Sequence, residues 1–336
     1  MKKIFSVLLI LTIAFCGILY LLVIPSAVKG DKEVLIKIRN TDQWEQVQEQ
    51  LSQNEDIRYP VLLIYLAKIL DYDQNVRPGR YVIDQKRSIL DVVRKLRNGQ
   101  QDPVNFVINN ITYPEHLASR VAQKLDIDSS AFMNYISQTE NAEKYGLDTN
   151  NFIGMFLCNT YQIYWNISLE SFVDKMHQEY QRFWNDERMQ KAAQIGLKPE
   201  EVIVLASIVQ KETNYQPEFG TVAAVYLNRI RIGMPLQADP TVKYALKDMS
   251  IKRILNKDLQ TDSPYNTYKN TGLPPGPIGL PESNVINGVL TAPLNNYLYF
   301  CAVFGSGKHV FSTSYSEHLN NARAYQKALN EEKIYR

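Results

Sequence analysis

Residues Ile4 to Ile24 form an almost unbroken apolar run behind Lys2 and Lys3. At about 1.5 Å of rise per residue, a helix over this run spans a hydrocarbon core about 30 Å thick, so a membrane anchor is expected. The two lysines place its N-terminus on the cytoplasmic side and everything beyond Pro25 outside. A cleaved signal peptide is the competing reading, but the run is long for one, and Pro25-Ser26-Ala27 makes a poor cleavage site. Cys16 does not argue for a lipoprotein, because bulky Phe15 precedes it and the apolar run continues past it.

The 336 residues leave room for two domains beyond that anchor. Charges of both signs are mixed along the chain to a net +2, and no basic block is interleaved with aromatics, so a nucleic-acid partner is not expected. The sequence has 21 Tyr against 4 His, poor material for a metal centre and good material for stacking on sugars. It also lacks HExxH, a clustered CxxC and a phosphate-cradling glycine loop, so neither metal nor cofactor is expected. Past the anchor only Cys158 and Cys301 remain, and their wide separation favours two free thiols over a disulfide.

Val34 to Ile38 alternates as a strand does, and Asp42-Gln43-Trp44-Glu45 has the form of a helix cap with its reciprocal acid. Val61 to Leu70 supplies a second helix, Arg77-Pro78-Gly79 a turn, and Arg80 to Ile83 a second strand. Strand, two helices and strand in this length is the plan of a LysM-like module, a fold that binds N-acetylglucosamine chains; a spacer off the bilayer is the alternative role. The helix after Ser88 ends at Gly99, a natural C-terminal cap, and polar Gln100-Gln101-Asp102-Pro103 marks the boundary. The expected organisation is an anchor over 1–30, a LysM-like βααβ domain over 31–101 and a larger domain over 102–336, in the α+β class. The larger domain is expected to open with a strand at Val104–Ile108 and a helix from about Pro114 to Leu125. Ser168 to Ala193 reads as one long amphipathic helix whose aromatics face the core.

The stretch that points to chemistry is a helix from Pro199 to Glu212. Proline suits the first helical position, and Glu200 and Glu201 follow in the turn where the helix dipole favours acids. At about 100° per residue Glu212 projects between Leu205, Ile208 and Val209, while Ser207, Gln210 and Lys211 fall on the other side. A carboxyl on a greasy face resists ionisation and can hold the proton a general acid needs. The plainer reading is a Glu in a fraying last turn that points to water. Candidate substrate-binding residues around it are Glu218, then Asn228 and Arg229 near the end of a following helix, then Gln237 and Asp239 on a loop interrupted by Pro235 and Pro240, then Tyr265, Asn266 and Tyr268 on a proline-dense rim. Structural roles compete: Arg229 suits a helix C-terminus, and Asp239 is a good turn former or helix cap. Tyr297 to Tyr315 reads as a β-hairpin turning at Gly305-Ser306-Gly307, with His309 on its second strand, before a final helix.

SIVQKE, then Glu218, then VYLNRIRIGMPLQADPTVKYAL and SPYNTYKNTGLPPGPIGLP, run in the order and spacing of the MltG-type (YceG-like) endolytic murein transglycosylases. With a matching N-terminal plan, this chain resembles that family over nearly its whole length. The resemblance implies that Glu212, the Glu of the KE pair, is the catalytic acid. This chain departs from the family pattern at Gln210, where a second Glu is usual. It departs again at Tyr113-Pro114-Glu115-His116 in place of a Pro-Glu-Gly turn, and at Ile153, Cys158 and Asn159 in place of Glu, Pro and Asp.

A glycoside hydrolase needs two carboxyl groups about the bond, and this chain offers one strong candidate. The family's chemistry needs only one, because the muramyl C6 hydroxyl closes on C1 to give a 1,6-anhydro ring. The implied substrate is the glycan strand of peptidoglycan, with peptidoglycan synthases as further candidate partners and the cell membrane as the location. Two other readings stay open: a hydrolytic muramidase using Asp239 or Glu218 as second acid, and a membrane-tethered glycan-binding scaffold without turnover.

Overall fold

A computed structural model of the chain describes residues 2–23, 25–252 and 254–331. Met1, Ile24, Arg253 and residues 332–336 lie outside the described residues, and with them the ends of the expected anchor and of the expected 102–336 domain. The Lys2 and Lys3 side chains, on which the expected orientation rests, lie outside them too. The fold is mixed α+β with an N-terminal apolar helix, α1 (Lys2–Val23), whose stretch Ile4–Val23 is long and apolar enough to cross a membrane. The chain divides into two compact units, the first of which includes α1.

The first unit comprises Met1–Phe106 with Ala122–Ile127 and Tyr161–Ser168. It holds β1 (Val34–Ile38), α2 (Trp44–Gln53), α3 (Pro60–Ile69), β2 (Gly79–Ile83) and α4 (Ile89–Arg97). β1 and β2 pair antiparallel from Val34↔Ile83 to Ile38↔Gly79, and the period-two alternation turns Val34, Ile36, Ile38, Tyr81 and Ile83 into one buried face. The cap of α2 sits one residue later than its sequence suggests. Gln43 is the N-cap, and its N–H donates to Gln46 Oε1 at 2.9 Å. Asp42 instead closes the preceding turn by accepting from Arg39 N–H at 2.8 Å. Ser88 caps α4 as expected, accepting from Asp91 N–H at 3.2 Å. Inside this unit Lys95, 4% exposed, places its ammonium 2.7 Å from Asp102 and donates to Val82 O at 2.9 Å.

The chain continues with β3 (Val104–Ile108), α5 (Pro114–Lys124), α6 (Ser129–Ser137), α7 (Thr139–Lys144) and β4 (Asn159–Ile163), with β3 and β4 forming a two-stranded sheet. The second unit, which comprises Val107–Val121, Asp128–Thr160 and Leu169–Arg336, continues with α8 (Leu169–Phe183) and α9 (Asp186–Ile195). These replace the single helix expected over Ser168–Ala193. The break occurs because Asn185 adopts extended backbone and caps the new helix, its Oδ1 accepting from Arg188 N–H at 3.0 Å.

The core of the second unit is built on α10 (Pro199–Glu212), α11 (Phe219–Arg231) and α13 (Ser283–Leu290), with α12 (Asp239–Ala245) alongside. Glu201 reaches back to accept from Lys198 N–H at 2.8 Å, and Pro199 fills the first turn, so α10 starts where the sequence says. Its packing differs from a one-sided amphipathic helix: every residue from Val202 to Val209 is buried. Ser207, expected outside, is 2% exposed and accepts from Ile278 N–H at 3.0 Å. Gln210 Oε1 likewise accepts from Glu282 N–H at 2.6 Å. The polar positions of α10 therefore hold the proline-rich segment rather than water. Gly288 lets α13 approach α11, since a Cβ there would lie 2.7 Å from Phe219 Cβ. An antiparallel hairpin, β5 (Tyr299–Ala302) with β6 (His309–Ser312), and α14 (Tyr315–Glu331) complete the unit. Cys158 and Cys301 are separate thiols.

Candidate active site

α10 ends at Glu212 because Thr213 turns extended, and Thr213 Oγ1 then caps the next turn by accepting from Tyr215 N–H at 3.0 Å. Glu212 keeps some accessible surface, yet protein crowds its carboxyl. That desolvation is the main reason its pKa rises to about 7, and the charge of Asp239 pushes the same way. Working against them are a hydrogen bond donated by Tyr226 Oη to Glu212 Oε1 at 2.8 Å and the positive charges of Lys243 and Arg229. The result is a carboxyl that holds its proton near neutral pH and has one neutral donor beside it.

The loop opposite is fixed by a buried hydroxyl pair, Thr241 Oγ1 and Thr267 Oγ1, 2.8 Å apart. Thr267 also accepts from Ala238 N–H at its hydroxyl (3.0 Å) and from Gln237 N–H at its carbonyl (3.1 Å), joining the 233–238 loop to the tyrosine rim. Between buried Leu236 and Ala238, Gln237 is exposed and sits at φ 49°, a left-handed conformation that costs a residue with a Cβ about 1 kcal/mol. Asp239 is exposed in the first turn of α12, where Pro240 is tolerated, and it accepts from Tyr268 Oη at 2.6 Å. Tyr265 is half-buried, its ring 4.9 Å from that of Tyr244, and its hydroxyl lies against Gly276, where a Cβ would meet Tyr265 Oη at 2.9 Å.

Other predicted residues are placed by contacts with the protein itself. Asn228 is 8% exposed; its amide donates to Asn295 O and Tyr297 O, both at 3.0 Å, and its carbonyl accepts from Arg231. Arg229, equally buried, donates to Leu298 O at 2.7 Å and Leu236 O at 2.6 Å, and burial lowers its pKa. Asn266 has no exposed surface, donates to Leu259 O and Thr261 O, and accepts from Tyr268 N–H. Glu218 accepts from His309 N–H at 3.0 Å and lies 2.8 Å from its Nδ1, so His309 faces protein rather than water. Of the departures from the family pattern, Ile153 is 9% exposed, and Cys158 Sγ donates to Leu280 O at 3.4 Å.

Thus Glu212, Asp239 and Tyr268 gather about one place, with Gln237 on the loop that leads into it, while Asn228, Arg229, Asn266 and Glu218 are engaged by the protein itself. Tyr226 and Lys243 belong to the group but are not picked out by sequence. A signal for Tyr226 existed: a tyrosine in the apolar run Ala223–Leu227 needs a partner for its hydroxyl. A cavity of about 310 Å³ lies elsewhere, lined by Val303, Phe304, Val310 and Tyr325 among others, and no candidate site residue lines it.

The model of the YceG-like family matches residues 36–324. A Bacillus subtilis protein called endolytic murein transglycosylase is 41% identical over 133 residues, 39% of this chain and 36% of the relative. A Streptococcus pneumoniae protein of the same name is 25% identical over 333 residues, 89% of this chain and 59% of the relative. The chain therefore spans well under two thirds of the length of these relatives. The crystal structure of a yceG-like protein from Listeria monocytogenes shares the fold, with a TM-score of 0.56 at 24% identity over 87% of this chain and 99% of that one.

Proposed function

The chain belongs to the YceG-like family, and on that premise we propose that it is a membrane-anchored endolytic lytic transglycosylase of peptidoglycan. The observation that carries the proposal is the crowded carboxyl of Glu212, hydrogen-bonded by Tyr226, its pKa raised to about 7, with Asp239 at the start of α12 and the Tyr268 hydroxyl bound to it close by. Glu212 gives its proton to the oxygen linking N-acetylmuramic acid to N-acetylglucosamine; the C1–O bond breaks, and the glucosamine end leaves as an alcohol. Asp239 opposes the positive charge that develops at C1. The Glu212 carboxylate then takes the proton of the muramyl C6 hydroxyl as O6 bonds to C1, which closes the 1,6-anhydro ring and restores the acid without consuming water.

In the same reading α1 is a single-pass anchor with its N-terminus cytoplasmic, and the rest is extracytoplasmic, acting on nascent strands close to the membrane. The β1-α2-α3-β2 order, with β1 beside β2, supports a LysM-like domain over 31–101 that contacts glycan or serves as a spacer, ahead of a catalytic domain over 102–336. Peptidoglycan synthases are proposed partners because such cuts fall on strands still being made. Asp239, a carboxylate facing Glu212, favours a second reading as a hydrolytic muramidase.

Incubating the full chain in detergent with purified sacculi and weighing the released ends by mass spectrometry tests these readings. Anhydro-muramyl ends are the expected result. Ends one water heavier would establish the muramidase instead, and binding without release would leave only a tethered glycan-binding scaffold.

A further inference from the structure

Tyr226 is 1% exposed, and its hydroxyl donates to Glu212 Oε1 at 2.8 Å, its one hydrogen bond among the described residues. Its ring is gripped edge-on by Phe300, with centroids 5.9 Å apart at 89°. Phe300 in turn meets the ring of His309 edge-on at 5.4 Å, and Glu218 fixes His309. One turn further along α11, Arg229 pins the helix to Leu298 O and Leu236 O. The ring is therefore braced by Phe300 and its helix is anchored close by, which keeps the phenol at the carboxyl.

A phenol has one hydrogen to give, and here it points at Oε1. Protonating Oε1 would set two O–H groups against each other or cost the hydrogen bond that Tyr226 donates. We propose that Tyr226 is a positioning residue that reserves Oε1 as a hydrogen-bond acceptor, so that Glu212 carries its acidic proton on Oε2. On the reading of Glu212 as the acid of glycan cleavage, on which this part of the inference rests, Oε2 both delivers the proton to the glycosidic oxygen and collects the one from the C6 hydroxyl. Tyr226 keeps its own proton throughout. Because a donor stabilises the ionised form, Tyr226 also limits how far burial lifts the Glu212 pKa. The other groups that face the carboxyl are Arg229 on α11, Asp239 and Lys243 on α12, and Tyr268, whose hydroxyl is engaged by Asp239.

The test is an isotope-edited infrared titration of the Glu212 carboxyl in the full chain, its band identified by loss in Glu212→Gln, alongside the pH profile of glycan cleavage. In Tyr226→Phe the ring packing survives and the donor is gone. The Glu212 midpoint is expected to rise by about 1 to 2 pH units, and the alkaline limb of cleavage to move with it. With 3,5-difluorotyrosine in place of Tyr226, a stronger donor of nearly the same shape, both are expected to move downward. Lost turnover with an unmoved midpoint in these variants would overturn the proposal, since a merely structural role changes rate without moving the titration. A midpoint that shifts as expected in a chain that releases no glycan ends would uphold Tyr226 as the positioning group and defeat only the cleavage reading.

Discussion

Each unit buries an ionisable side chain, and the two are treated oppositely. In the first, Lys95 donates to Asp102 Oδ1 at 3.0 Å and to Val82 O at 2.9 Å, and its ammonium lies 2.7 Å from Asp102 Oδ2, so the charge is paired and hydrogen-bonded. In the second, Glu212 receives one neutral hydrogen bond and is faced by the like charge of Asp239. A charge that is fully partnered is part of the scaffold. One left under-partnered holds or sheds a proton at an accessible pH, which is what the proposed acid requires.

The sharpest way to break this contrast is Glu212→Gln, which keeps the volume and removes the proton. Release of anhydro-muramyl ends should fall about 10³-fold, equivalent to about 4 kcal/mol of barrier, with the fold intact by circular dichroism. Retained cleavage would place the chemistry elsewhere. Lys95→Met should act in reverse: stripping Asp102 of its cation costs up to about 3 kcal/mol, moderated because Asp102 is one third exposed, and appears as a lower denaturation midpoint with unchanged turnover per folded molecule.

The pH dependence of stability sharpens the comparison. In the folded chain Glu212 stays protonated up to about pH 7, against an ordinary value of 4.5. Between those values the folded state binds more protons than the unfolded one, so this group favours folding below the window and loses that contribution as pH rises through it, by at most about 3 kcal/mol. Urea titrations of the wild type and Glu212→Gln should diverge over that interval and run parallel outside it. The smallest effect is expected for Gln237→Gly, which relieves the left-handed backbone and should stabilise by about 1 kcal/mol. If Gln237 meets glycan, the same variant should raise KM and leave kcat alone.

Local signals carried much of this architecture. Pro199 and Glu201 mark the start of α10, the alternation of Val34–Ile38 marks a strand, and Glu212 stands out as an acid among aliphatics. What was illegible depends on partners remote in sequence. Ser207 and Gln210 look like a solvent face until Ile278 and Glu282, 71 and 72 residues on, present backbone N–H groups to them. The amphipathic pattern runs straight through Asn185, and only its backbone turn shows that one helix is two. In the site, residue type marks Asn228 and Asn266 as amides suited to sugar, but it does not say whether an amide meets a hydroxyl or a nearby carbonyl.

The β5–β6 hairpin bears on motion. Both its strands are mostly half-buried, and it is fastened to the rest of the unit by Glu218, Asn228 and Arg229. Phe300 and Phe311 also pack against the core, but strands less buried than the helices open at lower cost than the helical centre. Each such excursion withdraws Phe300 from Tyr226, and the availability of the acid is thereby coupled to the fraying of an edge.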